Sequence, residues 1–311
     1  MITPLRSRVL ALLALSVTLA GCSRSPVSPI GSGQGSAEQT AVTTTLASSP
    51  EFTSDSLMDV GSTPSPFGAQ WTGPAGPAAA ITPRYWWRTI SSAERSLTFA
   101  FSDSDSTGRP RQADVTVTRH LLGQLNIYKA MEGDTMHLDS ANVVHKPIDD
   151  TWVRHLRLRR FVFHESGQSV WFVTGVSGVN VTSNPTSESI QSVRVQATGL
   201  DTTLTDPAAL WTLPQLCHVA PGDSLMLTAT TSHTDDIVLA YWHDRRERFH
   251  ANGDGTYSFK LRLGDSELNG PRFFAVNALS HDTLYDDTLP YDSAAWIFYC
   301  VVGSAATGPH F

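Results

Sequence analysis

The groups in this 311-residue chain that could do chemistry are carboxylates, guanidinium groups and three cysteines. Asp103-Ser104-Asp105-Ser106-Thr107-Gly108, followed by Asp114, puts carboxylates at the first, third and last positions of a twelve-residue span and glycine at the sixth. That is the spacing of a calcium loop, which needs hard oxygen ligands around one sharp turn. Thr107, Arg109, Pro110 and Arg111 depart from it, and the same residues would serve as a polar hairpin turn. A basic run, Arg154, His155, Arg157, Arg159 and Arg160, could meet an anionic polysaccharide or a lipid phosphate, or form the solvated face of a half-buried strand. The aromatics Tyr85, Trp86, Trp87, Trp152 and Trp171 would suit a sugar platform or a β-domain core. No nucleophile elbow, zinc helix motif, paired-cysteine motif or phosphate loop occurs. The histidines are scattered, and His243 with His250 lacks a third ligand at metal spacing. The sequence therefore points away from an enzyme, and a carboxylate-pair hydrolase in the first half is the alternative.

These groups must be positioned by strands. Charged residues make up only 16% of the chain, and Thr, Ser, Val, Gly and Pro are plentiful, which suits a mostly β protein. The formal charge of −7 argues against nucleic acid as a partner. Residues 22–83, rich in Ser, Thr, Gly, Pro and Ala, read as a disordered tether. Residues 84–207 read as a β-rich domain of unknown role. Leu97, Phe99 and Phe101 alternate there, as do Val115 and Val117, and Leu156 and Leu158. Gly123 marks an expected bend or bulge, and Arg159-Arg160 an expected register slip. A helix over 85–95 is the one helical expectation, and an α+β cone with a ligand pocket is the alternative fold for this half.

Residues 208–303 show seven candidate strands, at 215–219, 224–231, 237–243, 247–251, 256–263, 272–278 and 296–302. Their turn signals suggest a seven-stranded Greek-key sandwich of immunoglobulin type. The run Gly253-Asp254-Gly255-Thr256-Tyr257-Ser258 resembles bacterial Ig-like modules of surface proteins. In that topology the first and last strands are neighbours, which brings Cys217 and Cys300 within reach of a disulfide. It also gathers three loops at one end, carrying Asp235, Asp236, Asp254, Asp282, Asp286, Asp287 and Asp292. Converging carboxylates repel unless a cation intervenes, so Ca²⁺ is the candidate there although no cofactor is certain. Separate solvated turns are the alternative. Residues 304–311 form a tail.

The N-terminus supplies an address. Arg6 and Arg8 precede an apolar run from Val9 to Ala20, too short to span a bilayer. It closes on Leu19-Ala20-Gly21-Cys22, which resembles the lipobox of bacterial lipoproteins. The resemblance implies a signal peptide over 1–21, lipidation of Cys22 and a membrane partner reached through that lipid. Ser23 after the cysteine is similar to the outer-membrane-directed class of diderm bacteria. The resulting expectation is a non-enzymatic, lipid-anchored envelope protein for structure, adhesion or binding, with an envelope protein or polysaccharide as further partner. The alternative is a lipoprotein whose first domain binds a ligand or hydrolyses one.

Overall fold

The computed structural model describes residues 35–49, 52, 65–66, 81–129, 142–163, 167–242, 245–264 and 270–303. Cys22, the signal peptide and the tail lie outside the described residues. Among the described residues the chain is mostly β, as expected, with 66% strand and 10% helix in two largely antiparallel sheets.

Helix α1 (Gly35–Ala47) comes first, then a two-residue β1 (Ser65–Pro66) and four long strands, β2 (Pro83–Ser104), β3 (Pro110–Lys129), β4 (Val143–Val162) and β5 (Ser169–Ser183). A hairpin of β6 (Ile190–Ala197) and β7 (Leu200–Leu204) precedes β8 (Trp211–Thr212), a 3-10 turn at Leu213–Gln215, and β9 (Cys217–Val219). The rest comprises β10 (Ser224–Thr231), β11 (Ile237–Trp242), β12 (Arg245–Arg248), β13 (His250–Ala251), β14 (Thr256–Arg262), β15 (Gly270–Leu279), a short α2 (His281–Tyr285) and β16 (Ser293–Val302).

The larger sheet runs β1-β2-β3-β4-β5-β16-β15-β11-β12, with β8 on β5 and β9 on β16; the smaller runs β13-β14-β10-β6-β7. The division expected at 207/208 therefore fails. Strand β5 hydrogen-bonds to β16, and β6, from the first half, pairs with β10 along residues 226–231. Chain order broke at 207, but hydrogen bonding did not.

Strands β11, β15 and β16 form a wall shared by two cores. On one face Val238, Ala240, Val276, Trp296 and Phe298 meet Leu225, Leu227, Val193 and Val195 of the smaller sheet. On the other, Leu239, Tyr241, Ala275 and Ile297 meet Trp86, Leu125, Ile127, Ile148 and Trp152 of the long strands. The larger sheet thus curls round: the Arg246 guanidinium of β12 lies 3.4 Å from the Trp86 ring centre of β2 and donates to the Trp86 carbonyl. A strand buried on both faces reads as a continuous apolar run, which is why Ile237–Trp242 is buried at every position.

Three local expectations need correction. Residues 85–95 are strand, not helix, because β2 pairs with β3 along its length and buries Trp86 and Arg88 at period two. The bulge expected at Gly123 is real but lies on the partner strand: Ile90 faces Gly123 and Ser92 faces Leu122, leaving Ser91 extra. A Cβ at Gly123 would sit 2.3 Å from the Thr89 carbonyl oxygen, so only glycine allows this close approach. No slip occurs at Arg159-Arg160; β4 alternates without a break from Lys146 to Arg160, and its register shifts fall opposite residues 154–158. The α+β alternative finds no α-helix among the described residues of 81–207.

The tether expectation also fails over α1. Its composition is poor for an isolated helix, yet Glu38, Val42, Thr45 and Leu46 make one face by i, i+4, i+7 and i+8 spacing. Val42, Leu46 and the following Phe52 are buried against Val115, Leu156, Trp171 and Tyr299. The Glu38 carboxylate accepts from Arg109 Nε and Nη2 and from Trp171 Nε1, at 2.9, 2.7 and 3.0 Å. Tertiary docking, not propensity, holds this helix.

Candidate functional site

The described residues contain one group of three side chains that could ligate a metal, Glu188, His233 and Asp236. Two crossings between the sheets build it. Glu188 lies on the link from β5 to β6, where Asp292 accepts from the backbone N–H groups of Ser187 and Glu188 and from the Ser187 hydroxyl. His233 and Asp236 lie on the link from β10 to β11. The two links are sewn together by Ser232 N–H donating to the Ser189 carbonyl and Ser189 N–H to Ser232 Oγ.

Each carboxylate has one oxygen held by backbone or hydroxyl donors. Glu188 Oε1 accepts from Ser189 N at 3.0 Å and from the Ser232 hydroxyl. Asp236 Oδ2 accepts from His233 N at 3.2 Å. The His233 carbonyl accepts from the Thr231 and Tyr257 hydroxyls, which fixes the peptide that carries the ring. Burial pushes the Tyr257 hydroxyl up to about 12, which keeps it a donor. The other oxygens face the imidazole: His233 Nδ1 is 3.4 Å from Glu188 Oε2 and 3.8 Å from Asp236 Oδ1. Asp236 Oδ1 is buried without a hydrogen-bond partner. Burial, then the adjacent Glu188, push the Asp236 carboxyl well above the usual carboxylate range.

Of the seven aspartates expected to share a calcium ion, only Asp236 belongs to this group, and no three of the seven converge among the described residues. Asp254 accepts from the Thr256 N–H and hydroxyl, Asp286 from Thr288 and Leu289, and Asp292 from the β5–β6 link. Asp287 lies 4.0 Å from Lys129, Asp282 contacts His281, and Asp235 is exposed. Asp254 and Asp286 thus serve their own turns, whereas Asp292 braces the β5–β6 link.

The basic run is not one face either. Arg154 and Arg160 point to the buried side of β4 with Leu156 and Leu158, whereas Arg157 and Arg159 point away. Arg154 donates to the Phe52 carbonyl and lies over the Tyr299 ring, Arg160 pairs with Asp105, and Arg157 with Asp114. These partners also decide the Asp103 segment, which is a hairpin turn. Asp105 accepts from Thr107 N, Thr107 Oγ1 and Arg109 N, and those bonds hold it far below the usual carboxylate range. Trp86, Trp152 and Trp171 are core residues.

Cys217 and Cys300 face each other in the parallel β9–β16 pair, as expected of neighbouring strands. They approach to 2.6 Å, outside disulfide range, and are free thiols here. A cavity of about 40 Å³ beside them, lined by Val176, Leu204, Trp211 and Trp296, has room for a water molecule but not for an organic ligand.

Sequence reasoning missed Glu188 and His233. The His-x-x-Asp spacing at 233–236 was a weak signal, and nothing near Glu188 marks it, because its partners lie 45 residues on. The chain matches no family model, no curated protein and no solved structure.

Proposed function

We propose that this protein is a lipid-anchored scaffold of the cell envelope, a display module rather than a catalyst, held on a bilayer through Cys22.

 It needs no catalytic centre for this role. The observation that carries the reading is a coincidence of place. The Leu19-Ala20-Gly21-Cys22 motif leads, thirteen residues later, into α1, whose first turn is fastened by Glu38 to Arg109 at the β2–β3 turn. The ends of β4 and β5 lie beside that turn, because Arg160 of β4 pairs with Asp105. There Phe161, Val162 and Phe163 are each 49% exposed and Val170 is 40% exposed. Thirteen residues span at most about 45 Å when fully extended. An apolar tip of this kind, next to the point where the leash enters, suits contact with the lipid surface. The lobe in which β11, β15 and β16 pack on the smaller sheet then projects away from the bilayer as an Ig-like adhesion or spacing module, in the outer membrane of a diderm cell.

The test is metabolic labelling of the full chain with an alkyne-bearing fatty acid in a diderm host, followed by membrane fractionation. The expected result is label on the wild type and its loss in Cys22→Ser. A mature protein that keeps Met1 and takes up no label overturns the reading. In an oxidising envelope compartment, Cys217 and Cys300 are expected to exchange with a disulfide-bearing oxidant, their two thiols becoming a disulfide as the oxidant's disulfide becomes a dithiol, which non-reducing peptide mapping would detect.

A further inference from the structure

The geometry points to a zinc-class divalent cation site formed by Glu188 Oε2, His233 Nδ1 and Asp236 Oδ1, with its remaining position open to solvent beside the His233 ring. This inference does not rest on the lipid anchor.

Charge gives the first argument. The side chains of Glu188 and Asp236 are 0% and 1% exposed. Among the described residues neither is paired with a Lys or Arg; the only basic group beside them is His233. Two carboxylates taken out of water without a cation are costly, so they need either a shared proton or a bound positive ion. Geometry gives the second. Tetrahedral zinc with bonds of about 2.0–2.1 Å sets its ligand atoms roughly 3.3–3.4 Å apart. The distances from His233 Nδ1 to the two carboxylate oxygens are 3.4 and 3.8 Å, so small side-chain movements would complete three ligand positions. Asp236 Oδ1 is the buried atom without a hydrogen-bond partner, and it is one of the three donors.

The surroundings behave as an outer layer of a metal site does. Ser189 N and Ser232 Oγ hold the far oxygen of Glu188, and His233 N holds the far oxygen of Asp236, which orients the near oxygens. His233 itself is 49% exposed, which gives an ion a path in and leaves room for water as a fourth ligand. Calcium fits less well: it takes six to eight oxygens, whereas this group offers two carboxylates and one imidazole nitrogen.

The experiment uses the full chain, reduced, stripped with a chelator and dialysed against Zn²⁺, with Ca²⁺ in a parallel dialysis. Bound metal is counted by elemental analysis, and thermal unfolding is followed with and without Zn²⁺. His233→Ala is the main variant, since the half-exposed ring can be removed with the fold intact; Glu188→Gln is the second. The expected result is one additional Zn²⁺ per wild-type chain relative to His233→Ala, a higher unfolding temperature with Zn²⁺, and affinity lowered at least about tenfold in both variants. The thiols of Cys217 and Cys300 are unchanged in His233→Ala, so zinc they hold survives that substitution. Equal zinc in wild type and His233→Ala overturns the site, as does a wild-type unfolding temperature indifferent to Zn²⁺, which would leave a shared proton as the neutralising ion. Selective uptake of Ca²⁺ over Zn²⁺ overturns the assignment of metal class.

Discussion

Two buried groups of ionisable side chains lie in this molecule, and they solve the same electrostatic problem differently. Inside the curled sheet, Arg88 meets Asp150 at 3.8 Å and donates to the Tyr291 hydroxyl at 2.7 Å and to Asn277 Oδ1 at 3.3 Å, while Tyr291 donates to Asp150. Asn277 in turn donates to Ser293 Oγ and the Ala294 carbonyl. One positive and one negative charge are enclosed together, and all four side chains are buried. At the crossings between the sheets, Glu188 and Asp236 bring two carboxylates against one half-exposed imidazole. Asp150 Oδ1 and Asp236 Oδ1 both lack a hydrogen-bond partner, so an orphan oxygen alone does not distinguish them. Net charge and access do. A balanced, enclosed network ties strands together; an unbalanced one with a route to solvent has a use for an ion.

The comparison can be broken at its strongest point by Arg88→Ala. That change leaves Asp150 buried without its cation and removes a donor from Tyr291 and Asn277. The expected loss is about 3–5 kcal/mol, read from urea unfolding. The next effect is a pH dependence. Burial raises Asp150 to about 6 from 3.8, with Arg88 opposing that shift. A raised carboxyl favours folding most below its unfolded value, and that contribution is lost as pH rises from about 4 through 6. About two units correspond to roughly 3 kcal/mol, and Asp150→Asn should flatten that part of the stability profile. An unchanged slope between pH 4 and 6 would show that Arg88 keeps Asp150 ionised throughout. The smallest effect sharpens the contrast from outside. Arg194 and Asp201 are bonded through two N–H groups at 2.8 and 2.6 Å, but both are about half exposed. Arg194→Ala should leave the urea midpoint almost unchanged, because water screens such a pair.

The sequence by itself determined the alternating strands and the turn before β14. Alternation at Val115 and Val117, at Leu156 and Leu158, and at Leu225 and Leu227 reports a pleated strand with one dry face, a property of neighbouring residues alone. Gly253 and Gly255 adopt positive φ at the turn before β14, where the sequence places it. The neighbouring first and last strands of the C-terminal half followed from that order, and with them the facing of Cys217 and Cys300. Only the tertiary structure decided which strands share a sheet. The segment expected as one strand over 247–251 divides at the buried Phe249, sending β12 to the larger sheet and β13 to the smaller. Trp86 and Arg88 face the second core only because the sheet curls, and α1 forms because Val42 and Leu46 find the Trp171 surface. Glu188 joins His233 and Asp236 for the same reason. Contacts between residues distant in the chain are set by which faces can be buried together, and no local pattern of residue types records that choice.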